Sequence, residues 1–211
     1  IEYLWDNGVK SQSLWVSPVA STVYKVTVKD INGCKNNSTY KIDVYPISYL
    51  KRGADRYSVC KGDTVRLWAK LAYNNTGIYS WTGAGLLLGS QSDSVIYAIP
   101  EDNTIYKVMA KDINGCYVKS EIPIKVSKLP VLGIVDTMPI CRGDSVRLKV
   151  YGATNYIWNI GEGIYSGENG SIMKFLPINT TNYRVTGTIK YDSITSCSST
   201  YDGVVYVNPL P

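Results

Sequence analysis

The 211-residue sequence predicts an all-β protein, and three observations carry that expectation. Eighteen Tyr and five Trp stand against one Phe, among many Val, Ile and Thr, the side chains that suit a half-buried pleated surface. Short apolar runs are interrupted by clusters of Gly, Asn, Asp, Ser and Pro. Two sequence blocks also recur along the chain, so one small β plan is repeated.

The first block is VCKGDTVRL at Val59 to Leu67, which returns as ICRGDSVRL at Ile140 to Leu148, identical at six of nine positions and conservative at the others. The second is YKVTVKDINGC at Tyr24 to Cys34, which returns as YKVMAKDINGC at Tyr106 to Cys116 with nine of eleven positions shared. A third copy, YRVTGTIKYDSITSC from Tyr183 to Cys197, keeps the start and carries a longer turn. Ahead of each lies an aromatic landmark: YLW ending at Trp5, YSW at Trp81 and YIW at Trp158.

In the third copy, strands are expected at 131–135, 145–151, 155–159, 171–176, 182–188 and 203–208. About seven short strands in some 80 residues suggest an immunoglobulin-like sandwich. The fold expected is therefore tandem immunoglobulin-like β-sandwich domains arranged end to end. Residues 1–46 form the C-terminal part of a truncated repeat, and 47–129 and 130–211 form whole repeats, with Pro46, Pro130 and the Pro-rich Asn208 to Pro211 as short stiff joins. The first copy lacks a Cys-x-Gly-Asp block, so the sequence is expected to be a piece of a longer chain.

Trp5, Trp81 and Trp158 fall where such a sandwich puts a core aromatic, and Tyr24, Tyr106 and Tyr183 open the strand that often carries a structural tyrosine. These six are expected to pack, not to bind. Trp15 and Trp68 occur in single copies without counterparts in the other repeats; local packing at a join is the expectation, with a sugar platform as the alternative.

Several function classes are excluded by composition. With no His at all, His-dependent triads and imidazole metal sites are absent, and no nucleophile, base and orienting group converge in sequence, so no enzyme and no cofactor are expected. The net charge of +5 comes from Lys and Arg scattered singly, which speaks against nucleic acid. No apolar run approaches the length of a membrane span.

Arg142-Gly143-Asp144 spells a tripeptide that animal matrix proteins offer to integrins. The same slot one repeat earlier reads Lys61-Gly62-Asp63, so what the copies share is a Gly-Asp turn opening a strand, its carboxylate free to bond nearby amides. Asp30 with Asn32, and Asp112 with Asn114, resemble fragments of a calcium loop, but two side chains per loop fall short of the six to eight oxygens Ca²⁺ takes. They are weak metal candidates, and a hairpin with Gly at positive φ explains them better.

Five cysteines without CxxC clusters suggest structural disulfides in an oxidising compartment. In-copy pairs Cys60–Cys116 and Cys141–Cys197 are equally spaced in sequence, although an insertion and a deletion cancel to make them so. In an immunoglobulin-like sandwich the first turn and the last hairpin lie at opposite ends, roughly 20 Å apart, whereas a disulfide needs Cα atoms within about 7 Å. That limit favours Cys60–Cys197 across a joint between repeats; the in-copy pairs remain the alternative.

The order Cys-x-Gly-Asp-Ser/Thr-Val, Tyr-x-Trp, Thr-x-Tyr-x-Val, Asp-x-Asn-Gly-Cys, closing in Asn-Pro-Leu-Pro, resembles the tandem Ig-like (PKD-like) repeats of large Bacteroidota cell-surface proteins over nearly the whole chain. Such repeats occur in gliding-motility adhesins and other type IX secretion substrates. The resemblance implies export, display at the bacterial cell surface, and a non-enzymatic stalk in a secreted adhesin. Its partners would be neighbouring repeats of the same long chain, with surface glycans or other cell-surface proteins beyond them. It further implies O-glycosylation at Asp-Ser/Thr followed by an apolar residue, which Thr64, Ser94, Thr137, Ser145 and Ser193 satisfy. Accessory domains of a secreted carbohydrate-active or other hydrolase, or a glycan-binding module, are the alternatives.

Overall fold

The computed structural model describes residues 1–211 except 47–48, 73–76, 136–138, 162–163, 168 and 211. The described residues form strands without a helix. The first three strands, β1 (Glu2–Trp5), β2 (Thr22–Lys29) and β3 (Lys35–Ile42), make one antiparallel sheet in that order.

A first sandwich follows, built from β4 (Leu50–Ala54), β5 (Ser58–Cys60), β6 (Val65–Leu71), β7 (Gly77–Thr82), β8 (Leu86–Leu88), β9 (Val95–Ile99), β10 (Thr104–Asp112) and β11 (Tyr117–Ser127). Its sheets run β4-β6-β9-β8 and β5-β11-β10-β7, the strand order of an immunoglobulin-like domain. The second sandwich comprises β12 (Gly133–Val135), β13 (Ile140–Cys141), β14 (Val146–Tyr151), β15 (Asn155–Ile160), β16 (Ile164–Ser166), β17 (Ile172–Leu176), β18 (Thr181–Lys190), β19 (Ser196–Val205) and β20 (Val207–Asn208). Its sheets are β12-β14-β17-β16 and β15-β18-β19, with β13 paired in parallel to β20. The chain is thus a run of tandem Ig-like β-sandwiches.

Each sandwich closes over its own core because its strands alternate. Val65, Leu67, Ala69 and Leu71 of β6 point inward against Trp81, Ile96, Tyr106, Val108 and Ile122; Arg66 and Lys70 point outward. Val146, Leu148 and Val150 of β14 do the same against Trp158, Met173, Phe175, Tyr183 and Val185.

The repeat is visible in the register. Trp5 pairs with Val26, Trp81 with Val108 and Trp158 with Val185, each Val lying two residues after the motif tyrosine. Each indole N–H donates to a backbone carbonyl: Ser11 at 2.9 Å, Asp93 at 2.9 Å and Gly170 at 2.8 Å. The threonine of Thr-x-Tyr is also constant, because Thr22, Thr104 and Thr181 each donate to the carbonyl two residues back. Trp81 and Trp158 are buried, whereas Trp5 and Tyr24 are half-buried: no second sheet faces β1–β3 among the described residues.

Two strand expectations need correction. Instead of a last strand at 203–208, β19 starts at Ser196, because a ladder from Lys190↔Ser196 to Thr181↔Val205 holds the polar Ser-Cys-Ser-Ser-Thr stretch that reads as turn in sequence. The short strands β13 and β16 are additional.

Candidate functional site at the joint between the sandwiches

Where the first sandwich ends, β5 runs parallel to β11, with Cys60 beside Ser127. The chain then turns through Cys60 to Asp63. Gly62, at φ 90°, permits that turn; the Asp63 amide donates to the Cys60 carbonyl at 3.0 Å, and the Asp63 carboxylate accepts from the Cys60 amide at 3.3 Å. Lys61 reaches Glu101 at 3.1 Å, an exposed pair whose carboxylate raises the lysine pKa through a hydrogen bond.

Opposite this turn lies the hairpin joining β18 and β19. Cys60 and Cys197 form a disulfide across the joint, with Cα atoms 5.6 Å apart. The in-copy alternatives, Cys60–Cys116 and Cys141–Cys197, do not form. Eleven residues of chain separate Cys116 from Ser127, the neighbour of Cys60, which places Cys116 about 36 Å away at ~3.3 Å per strand residue.

The longer third hairpin is explained by what it touches. Two further residues on each strand carry its tip past the disulfide onto the first sandwich. There the Tyr191 hydroxyl donates to the Lys128 carbonyl at 2.8 Å and the Ser58 hydroxyl to Asp192 at 3.5 Å. The tip is rigidified from within, since Asp192 accepts from the amides of Ile194 and Thr195 at 2.8 and 2.6 Å, and these bonds, Thr195 first, hold its carboxyl below the usual range. Ser199 donates to the Pro130 carbonyl, so the linker 128–132 is gripped at two points by the second sandwich. Cys197, Thr195 and Ser127 are all buried here.

The other sequence candidates are placed differently. In Arg142-Gly143-Asp144, the Asp144 carboxylate accepts from the Cys141 amide at 3.4 Å, and the Arg142 guanidinium donates to the Ile178 carbonyl at 3.3 Å and to Asn179 at 3.0 Å. Lys61 contacts the matching turn of the first sandwich, so the basic residue of this motif braces a neighbouring loop in both copies. Asp30 accepts from the Cys34 amide at 2.8 Å, and Asp112 from the Asn114 and Cys116 amides at 3.0 and 2.8 Å. With Gly33 and Gly115 at φ 87°, both are closed hairpin turns, and no group of three or more His, Cys, Asp or Glu gathers among the described residues.

Trp68 is half-buried and lies over Gly53 of β4, its pairing partner, on the outer face of the first sandwich and away from the joint. Trp15 is 96% exposed. Counted from the motif tyrosine, its position matches Tyr97 and Lys174, both on outward faces. Thr64, Ser94, Ser145 and Ser193 are exposed; Thr137 lies outside the described residues. A groove of about 470 Å³ on the second sandwich is lined by Arg184 and Asp202, whose paired contacts at 2.6 and 2.9 Å neutralise each other.

The order of the sheets and the stacked register define the class: a tandem Ig-like β-sandwich chain. Among solved structures it is similar to the N-terminal eight Ig domains of Down Syndrome Cell Adhesion Molecule (15% identity, 89% of this chain and 31% of that one, TM-score 0.48). It is also similar to a three-Ig segment of titin (12%, 99% and 88%, 0.46) and to the insect immune protein hemolin (13%, 98% and 67%, 0.38). The chain spans about a third of the first of these. No protein-family model and no curated protein matches the sequence.

Proposed function

We propose that this chain is a non-enzymatic stalk segment of a large secreted adhesin displayed on a bacterial cell surface, made of the repeats 1–46, 47–129 and 130–211. The observation that carries this reading is the Cys60–Cys197 bond. It joins the first turn of one sandwich to the last hairpin of the next, with a sequence separation of 137 residues. Tension applied along the chain passes from residue 60 to residue 197 through one covalent bond. Most of each core lies within that loop and is shielded from it; Leu50 and Val59 of the first core and Val205 of the second lie outside.

A stable disulfide also suits an oxidising, extracellular setting. The bacterial surface, gliding or attachment, type IX export and glycosylation at Thr64, Ser94, Thr137, Ser145 and Ser193 rest on the motif order in the sequence. Partners on this reading are neighbouring repeats of the same chain, with glycans or surface proteins engaged elsewhere along it.

Surface labelling of intact cells, together with in-frame deletion of this segment from the parent gene, tests the proposal. Expected are labelled lysines of this segment on intact cells and weaker attachment by the deletion strain while the shortened protein is still displayed. Labelling only after lysis, or loss of an enzymatic activity with attachment intact, would overturn it.

A further inference from the structure

Both halves of the Cys60–Cys197 joint recur elsewhere in the chain, at positions where the cysteine is exposed and unbridged. The turn half recurs at Cys141. As Cys60 pairs with Ser127 in the parallel β5–β11 ladder, Cys141 pairs with Asn208 in the parallel β13–β20 ladder. The amides that follow, Lys61 and Arg142, each donate at 2.9 Å to the carbonyl of that partner. Asp63 and Asp144 close the two turns with the same pair of bonds, and Gly62 and Gly143 stand at φ 90° and 97°.

The hairpin half recurs at Cys34 and Cys116. Each of Cys34, Cys116 and Cys197 lies six residues before the residue paired with its motif tyrosine: Tyr40 opposite Tyr24, Ile122 opposite Tyr106, Gly203 opposite Tyr183. Cys197 is fully buried by its joint, whereas Cys34, Cys116 and Cys141 face solvent.

We propose that these three cysteines are halves of the same staple, and that their partner is a further copy of this repeat. Cys141 takes the hairpin cysteine of a following repeat; Cys34 and Cys116 each take the turn cysteine of a preceding one. The assignment rests on the stalk reading and extends it, from one bonded joint to a bond at every joint. Its direction is set by the observed pair: a turn cysteine always reaches the repeat after it, and a hairpin cysteine the repeat before it. In-repeat bonding is excluded by the same strand geometry that separates Cys60 from Cys116, because Cys197 likewise sits eleven residues from Asn208, the neighbour of Cys141. Each bond forms as two thiols lose their protons and pass two electrons to an external disulfide oxidant, which is reduced to two thiols.

The experiment is non-reducing peptide mapping of the full-length protein from its producing cells, with thiols alkylated at harvest. Expected are no alkylated Cys34, Cys116 or Cys141, a Cys141 peptide linked to the hairpin cysteine of another repeat, equivalent to Cys197, and Cys34 and Cys116 linked to Cys-x-Gly-Asp peptides. Alkylation at these three sites, or bonds joining turn and hairpin of one repeat, would overturn the inference. The Cys60–Cys197 peptide in the same digest separates the two readings. If it is present while the other three are alkylated, the extension fails and the stalk stands; if it is absent, both fail.

Discussion

Cys60 and Cys197 are 137 residues apart in sequence and 5.6 Å apart at Cα. Most of both sandwich cores lies between them, Leu50, Val59 and Val205 excepted, so the bond encloses most of what pulling could unfold in the two sandwiches. Single-molecule extension from the two termini should therefore release a much shorter contour in the oxidised chain. The enclosed loop amounts to roughly 450–490 Å at ~3.3–3.6 Å per residue, and this length should appear only after reduction. In the oxidised chain, only β4, β5, the part of β19 beyond Cys197 and β20 can be peeled from the two sandwiches. Equal contour lengths with and without reductant would show that the joint is not bonded.

Trp5, Trp81 and Trp158 share one register but not one environment, and their substitution should separate pattern from packing. Trp81→Ala and Trp158→Ala each remove a buried indole, and should cost about 3–5 kcal/mol in the sandwich concerned. Trp5→Ala, at a half-buried site on a single sheet, should cost roughly 1 kcal/mol or less. Denaturant unfolding followed by far-UV circular dichroism gives the comparison. A Trp5 cost equal to that of Trp158 would mean that β1–β3 is packed as tightly as the complete sandwiches.

The landmark Trp, Tyr and Thr were legible in the sequence because alternation and recurrence encode them directly, and so was the reach argument that favours Cys60–Cys197. The two-residue strand β13 was not, since Ile140-Cys141 carries no periodicity and exists only through its parallel partner. The start of β19 was hidden for a related reason: its serines prefer turns locally, and a long-range ladder with β18 overrides that preference. The purpose of the long third hairpin was equally illegible. Tyr191 and Asp192 look like loop residues until Lys128 and Ser58 are placed beneath them.

Acid should loosen the joint from the hairpin side. Asp192 has its pKa lowered in the folded chain by the Thr195 and Ile194 amides, with Lys125 contributing. A depressed carboxylate contributes stability that is present above its unfolded pKa, about 3.9. That stability is lost as pH falls through the lower folded value. Asp202 has the same sign through Arg184. Unfolding midpoints between pH 6 and pH 2 should thus fall below about pH 4, and Asp192→Asn, which keeps an acceptor oxygen but cannot ionise, should flatten part of that fall. An unchanged slope in the variant would remove Asp192 as a source.

The Arg142-Gly143-Asp144 turn makes an ordered set of stability predictions that an adhesive role would not. Arg142 is exposed and its contacts to Ile178 and Asn179 are peripheral, so Arg142→Ala should change stability by no more than about 0.5 kcal/mol. Gly143 stands at φ 97° with open space where a Cβ would project, so Gly143→Ala should cost only the backbone penalty, roughly 1–2 kcal/mol. Gly152, at φ 103°, has the Val131 carbonyl in the path of its Cβ, and Gly152→Ala should cost more than either by forcing the linker off the second sandwich. Thermal unfolding of the three variants tests the order. Binding to integrin-coated surfaces, expected to be absent for the parent chain, tests the alternative: attachment that disappears in Arg142→Ala would make the tripeptide a recognition site, because the turn persists without the guanidinium.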